Sequence, residues 1–88
     1  MICKRVHYQG RVQGVGFRDT AQRLAAGFRV TGYVKNMPDG TVELLAEGEP
    51  DQVDGLLAAV ADRMQDYISR AAVSDEPGTG RRGFQIRY

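Results

Sequence analysis

Two stretches of apolar residues at helical spacing bracket a hairpin signal, and this arrangement narrows the folds open to the chain more than any other feature. In the first stretch Phe17, Ala21, Leu24, Ala25 and Phe28 fall on one helix face, with Asp19, Gln22 and Arg23 on the other. In the second, Val53, Leu56, Leu57, Val60 and Met64 form a similar stripe. Gly48-Glu49-Pro50-Asp51 opens it, with proline at a first-turn position and acids near the positive end of the helix dipole. Between the stripes, Val30 to Met37 and Thr41 to Glu47 have strand character. Pro38-Asp39-Gly40 joins them: proline presets the turn and glycine supplies a positive φ. Val42, Leu44 and Ala46 share one face of the later strand, leaving Thr41, Glu43 and Glu47 for the other.

Outside this block, Val6 and Tyr8 alternate with His7 and Gln9, which predicts a half-buried strand over Ile2 to Gln9. Gly27 lies where a first helix would end. Ile68 to Ser74 is a fourth strand, Glu76 to Gly83 (EPGTGRRG) a loop by composition, and Phe84, Ile86 and Tyr88 alternate with Gln85 and Arg87 as a short fifth strand. The order is β-α-β-β-α-β with an extra C-terminal strand. Each helix has a single apolar stripe to bury, and one face of a sheet accepts both. The expected fold is therefore α+β, a ferredoxin-like sandwich with two helices packed on one face of a mostly antiparallel sheet. At 88 residues the chain is expected to form a single domain, 1–88. That fold hosts many unrelated functions, so activity has to be argued from particular residues.

Composition removes several classes of function. A net charge of +1 lacks the strongly basic face that marks nucleic-acid binding. Aromatic platforms for stacking bases are missing as well, since VELLAEG has none and HYQG offers only Tyr8. No run of about 18 apolar residues could span a membrane, and MICKRVHYQG lacks the apolar region of a secretory signal. The one cysteine, Cys3, makes no intramolecular disulfide, which fits a reducing cytoplasm. A thiol phosphatase with cysteine and arginine six positions apart would need arginine where Gln9 stands, so Cys3 is read as a strand residue. A surface of balanced charge makes a monomer the expectation.

Residues 10–18, GRVQGVGFR, combine a bare backbone with apolar anchors and a terminal cation. Placed between the first strand and the first helix, successive main-chain N–H groups can converge into a concavity for an anion. The helix start adds its unpaired N–H groups and the positive end of its dipole. Gly14 and Gly16 would let the loop turn inward, Val12, Val15 and Phe17 would anchor it, and Arg18 would supply a planar fork for two phosphate oxygens. The stretch has neither the Gly-Lys-Ser/Thr of a Walker loop nor the third glycine of a dinucleotide fingerprint. A glycine-permitted turn with a solvated arginine is the competing reading.

GRVQGVGFR, followed by GYVKNMPDGTVELLAEG from Gly32 to Gly48, resembles the acylphosphatase family, and the terminal FQIRY is like that family's last strand. The likeness covers nearly the whole chain, with departures in AAGFRVTG and EPGTGRRG, outside both blocks. It implies a ferredoxin-like sandwich that hydrolyses the carboxyl–phosphate anhydride of acyl phosphates to carboxylate and inorganic phosphate, without metal or cofactor, and with phosphate as product and inhibitor. Position by position, the resemblance places the phosphate-binding arginine at Arg18 and the water-orienting asparagine at Asn36. It places the amide cradle on the backbone of Gln13, Gly14, Val15, Gly16 and Phe17, and it brings the Tyr88 carboxylate toward the site arginine.

So sparse a set of groups suits that chemistry. The leaving group is a carboxylate whose conjugate acid has a pKa of about 4, so no general acid is required. Phosphoryl transfer asks chiefly for positioning and charge stabilisation. His7 has no evident orienting partner and is read as a strand-face residue beside Arg5 and Gln9; Arg81 and Arg82 are read as solvated. A non-catalytic binding module, or a head domain related to hydrogenase-maturation proteins, is the alternative. The absence of a linker after FQIRY favours the free enzyme.

Overall fold

Period-2 patterning becomes a sheet and the two stripes become helices. The computed structural model describes all residues from Met1 to Tyr88. Its elements run β1 (Ile2–Gly10), α1 (Phe17–Ala25), β2 (Val30–Asn36), β3 (Val42–Gly48), α2 (Pro50–Arg63), β4 (Ile68–Asp75) and β5 (Phe84–Arg87). The sheet has the order β4-β1-β3-β2-β5. β1 is antiparallel to β3 and β4, β2 is antiparallel to β3, and β5 lies parallel to β2. This is the ferredoxin-like α+β arrangement expected from the element order, extended by one edge strand.

Both helices lie on one face. Phe17, Ala21 and Ala25 of α1, and Val53, Leu56 and Val60 of α2, join Val6, Tyr8, Val34, Val42, Leu44 and Ala46 in a common core. Fully burying a large apolar side chain contributes roughly 1.5–3 kcal/mol, and Phe17, Leu44, Leu56 and six valines are buried to that degree. Helix α1 stops at Ala25, and Gly27 follows with an ordinary negative φ, so the glycine marks the helix end by position without the left-handed cap it often supplies. Phe28 therefore lies beyond the helix, where its ring sits over Gly55 of α2.

The opposite face departs from expectation. Glu43 is only 7% exposed, and Leu45 joins Cys3 and Tyr33 in a small second cluster. The segment from Glu76 to Gly83 covers this side as it crosses from β4 to β5. Glu76 pairs with Arg5 at 2.7 Å, Thr79 donates its N–H and Oγ1–H to Glu47 at 2.9 and 2.8 Å, and Arg81 stacks on Tyr33 at 4.9 Å. Arg81 is exposed, as expected, but its guanidinium rests on a ring instead of standing free. Burial, reinforced by the nearby Glu47 and Glu76 carboxylates, raises the Cys3 thiol above its usual pKa, which disfavours a thiolate there.

Strand direction decides where chemistry can assemble. Because β1 and β2 each run antiparallel to β3 and β5 runs with β2, the C-terminal ends of all three strands meet at one end of the sheet. The glycine-rich loop leaves β1 there, Asn36 ends β2 there, and Tyr88 follows β5 there.

Candidate active site

The loop between β1 and α1 is shaped by two glycines. Gly14 and Gly16 have φ of 77° and 78°, the left-handed region that other residues enter only at a cost. A Cβ at either position would meet no atom within 4 Å, so glycine is required by backbone handedness and not by crowding. Anchoring falls to the apolar residues. Val12 and Phe17 are buried, Val15 packs against the core, and the Phe17 ring lies 4.9 Å from that of Tyr8.

So held, the loop leaves its amides free. No main-chain N–H from Gln13 to Phe17 donates to a protein acceptor, and the first helical hydrogen bond runs from the Thr20 N–H to the Gly16 carbonyl at 3.0 Å. Gly16 caps α1 without a side-chain acceptor, so the helix presents unpaired N–H groups and the positive end of its dipole at the same place.

A cleft of about 260 Å³ opens over this point. Gly14, Gly16, Phe17, Arg18 and Asn36 line it, together with Val12, Asp19, Ile86 and Tyr88. Gln13 and Val15, also candidates for the cradle, are not among the lining residues. Asn36 shares the helix-side face of β2 with Val34, two residues earlier, and no protein group hydrogen-bonds its side chain. Its carbonyl and NH₂ therefore remain available to a solvent molecule or a ligand. Arg18 donates from Nη1 to the Arg87 carbonyl at 3.3 Å and lies 4.7 Å from the Tyr88 ring centroid. The expected pairing with the Tyr88 carboxylate is replaced by this stacking contact. Tyr88 is 98% exposed, which puts the stack near the weak end of cation–π energies, about 0.5–1 kcal/mol.

Asp19 is the one acidic side chain on the cleft and would oppose an anion, but it is paired with Arg23 at 3.1 Å. Across the hairpin, the Asp39 carboxylate accepts from Thr41 Oγ1–H at 2.6 Å and from the Thr41 N–H at 3.0 Å. These bonds hold its pKa below the usual carboxylate value and brace the turn. The glycine motif pointed to Gly14, Gly16, Phe17 and Arg18, and the family resemblance to Asn36, all of which line the cleft. Asp19 and Ile86 were missed, because their place on the cleft depends on the packing of α1 and β5.

His7 is on the other face of the sheet. Its Nε2 lies 3.0 Å from Glu43 Oε1, and the same carboxylate accepts the Tyr33 hydroxyl at 2.7 Å. The partner that sequence reasoning found missing is thus Glu43, opposite His7 in the β1–β3 ladder, and neither of the two lines the cleft. Burial and the hydrogen bond to Glu43 together raise the Tyr33 phenol above its usual pKa. His7→Gln should leave turnover within about twofold of the parent and its pH profile unmoved, whereas a general acid–base role would cost about 10²–10⁴-fold. Steady-state rates from about pH 5 to 9 check this.

A family model described as acylphosphatase matches residues 4–86. An acylphosphatase from Thermoplasma volcanium is 39% identical over 88 residues, spanning 99% of this chain and 98% of that protein. One from Methylococcus capsulatus is 56% identical over 57 residues, 62% of each. The crystal structure of acylphosphatase from Bacillus subtilis superposes with a TM-score of 0.89 at 34% identity, covering 100% of both chains. Since the family model runs from β1 into β5 and takes in both the glycine loop and the hairpin, the chain belongs to the acylphosphatase family.

Proposed function

We propose that the chain, acting as one unit over 1–88, hydrolyses acyl phosphates to a carboxylate and inorganic phosphate by direct attack of water on phosphorus. The observation that carries this reading is the common cleft of Arg18, Asn36 and a glycine loop whose amides have no protein partner. The amides of residues 13–17 and the Arg18 guanidinium bind the phosphoryl oxygens and strengthen as charge spreads in the transition state. The Asn36 carbonyl accepts a hydrogen bond from the attacking water while its NH₂ donates to the phosphoryl group. The water oxygen bonds to phosphorus as the phosphorus–acyl oxygen bond breaks. The carboxylate departs with the electron pair, and the water proton passes to phosphate or solvent. At about pH 7 that carboxylate needs no proton.

The protein is proposed to act as a monomer in the cytoplasm on small acyl phosphates, with inorganic phosphate as product and inhibitor and without nucleic acid or metal. No helix is long and apolar enough to cross a membrane. The test is loss of benzoyl phosphate in the presence of EDTA. Turnover that survives the chelator and is inhibited competitively by phosphate is expected. A folded chain that does not turn over would favour the binding-module or head-domain reading.

A further inference from the structure

We infer that the Gln13 side chain is a positioning residue that holds Asn36 in register with the phosphate loop, an inference that rests on the hydrolytic role proposed for Asn36. An exposed glutamine would ordinarily be solvated. Here its Nε2 donates to two main-chain carbonyls, Met37 and Thr41, each at 2.9 Å and 24 and 28 residues away. An amide NH₂ has two hydrogens, and both are used.

The two acceptors are not arbitrary. Met37 follows Asn36 directly, and Thr41 precedes Val42, the ladder partner of Asn36. The same carbonyls close the hairpin: Thr41 O accepts the Met37 N–H at 2.8 Å, and Met37 O accepts the Gly40 N–H at 3.1 Å. Gln13 therefore supplies the second donor to each oxygen and grips both arms of the turn at its base.

Topology explains why such a clip matters. β3 separates β1 from β2, so no ladder joins the loop that leaves β1 to the strand end that holds Asn36. Val12 and Phe17 anchor the loop in the core, and the β2–β3 ladder anchors Asn36. Each body is thus held independently, and Gln13 is the side chain that hydrogen-bonds one to the other. Its loss leaves both bodies intact and frees only their relative position.

The test is a cycle of Gln13→Met, Asn36→Ala and the double variant, assayed with benzoyl phosphate and with inorganic phosphate as inhibitor. Methionine keeps the bulk and removes the donors, and the exposed position lets the variant fold; Gln13→Ala provides a second variant. For Gln13→Met we expect kcat to fall about 10–100-fold, the scale of a displacement near 1 Å, with KM and phosphate inhibition held within about threefold. In the Asn36→Ala background the same substitution should cost less than about threefold, because the group it positions is gone. A full loss in that background would show that Gln13 acts independently of Asn36 and overturn the inference. So would phosphate inhibition that weakens in step with kcat, or an unchanged kcat. Asn36→Ala alone with parental turnover would instead remove the role of Asn36, and the inference with it, so the two failures are told apart by one single variant.

Discussion

Arg18→Ala is expected to lower kcat/KM for benzoyl phosphate by about 10³-fold and to weaken inhibition by inorganic phosphate at least about tenfold, with no change in fold by circular dichroism. Removing one preorganised donor from a site of developing anionic charge costs about 10²–10³-fold in turnover. Arg18 adds ground-state binding to that loss, because its guanidinium would hold a dianion in the ground state as well as in the transition state. The structural cost is small. Arg18 is half-buried, and its protein contacts are one 3.3 Å hydrogen bond to the Arg87 carbonyl and the stack on an exposed tyrosine. Arg18→Lys should recover only part of the activity, since an ammonium keeps the charge but not the two-pronged geometry. Turnover within about tenfold of the parent, with phosphate inhibition intact, would remove Arg18 from the phosphate site.

The elements were legible because periodicity reports which face a residue buries. Val42, Leu44 and Ala46 had to share a face, and they lie together in the core. Alternation says nothing of what covers the other face, so Glu43, expected on a polar surface, turned out buried, with a hydrogen bond from Tyr33 and the His7 and Arg5 side chains close to its carboxylate. The strap that runs from Glu76 to Gly83 has a loop composition, and composition carries no direction. Its contacts with Arg5, Glu47 and Tyr33 arise only once β4 and β5 occupy opposite edges of the sheet. Phosphate-site candidates were legible for a different reason: Gly14, Gly16 and Arg18 are neighbours in sequence, so one short motif holds most of the geometry. The Gln13 clip was not, because its acceptors are main-chain carbonyls, which leave no trace in residue identity.

Asn36→Ala should show the complementary pattern: kcat lower by about 10²-fold or more, KM and phosphate inhibition within about threefold. Asn36 is proposed to hold the nucleophile and not the phosphoryl group's main charge, so its loss falls on the chemical step. The side chain makes no hydrogen bond within the protein, so truncation leaves no buried group unpaired and the fold should melt near the parent temperature. Asn36→Asp separates orientation from charge. A carboxylate accepts from water as well as the amide does, yet it repels a phosphoryl dianion and cannot donate to it, so KM should rise where alanine leaves it alone. If Asn36→Ala raised KM and weakened phosphate inhibition as strongly as Arg18→Ala, the asparagine would be a phosphate ligand, and the attacking water would have to be held by the loop amides.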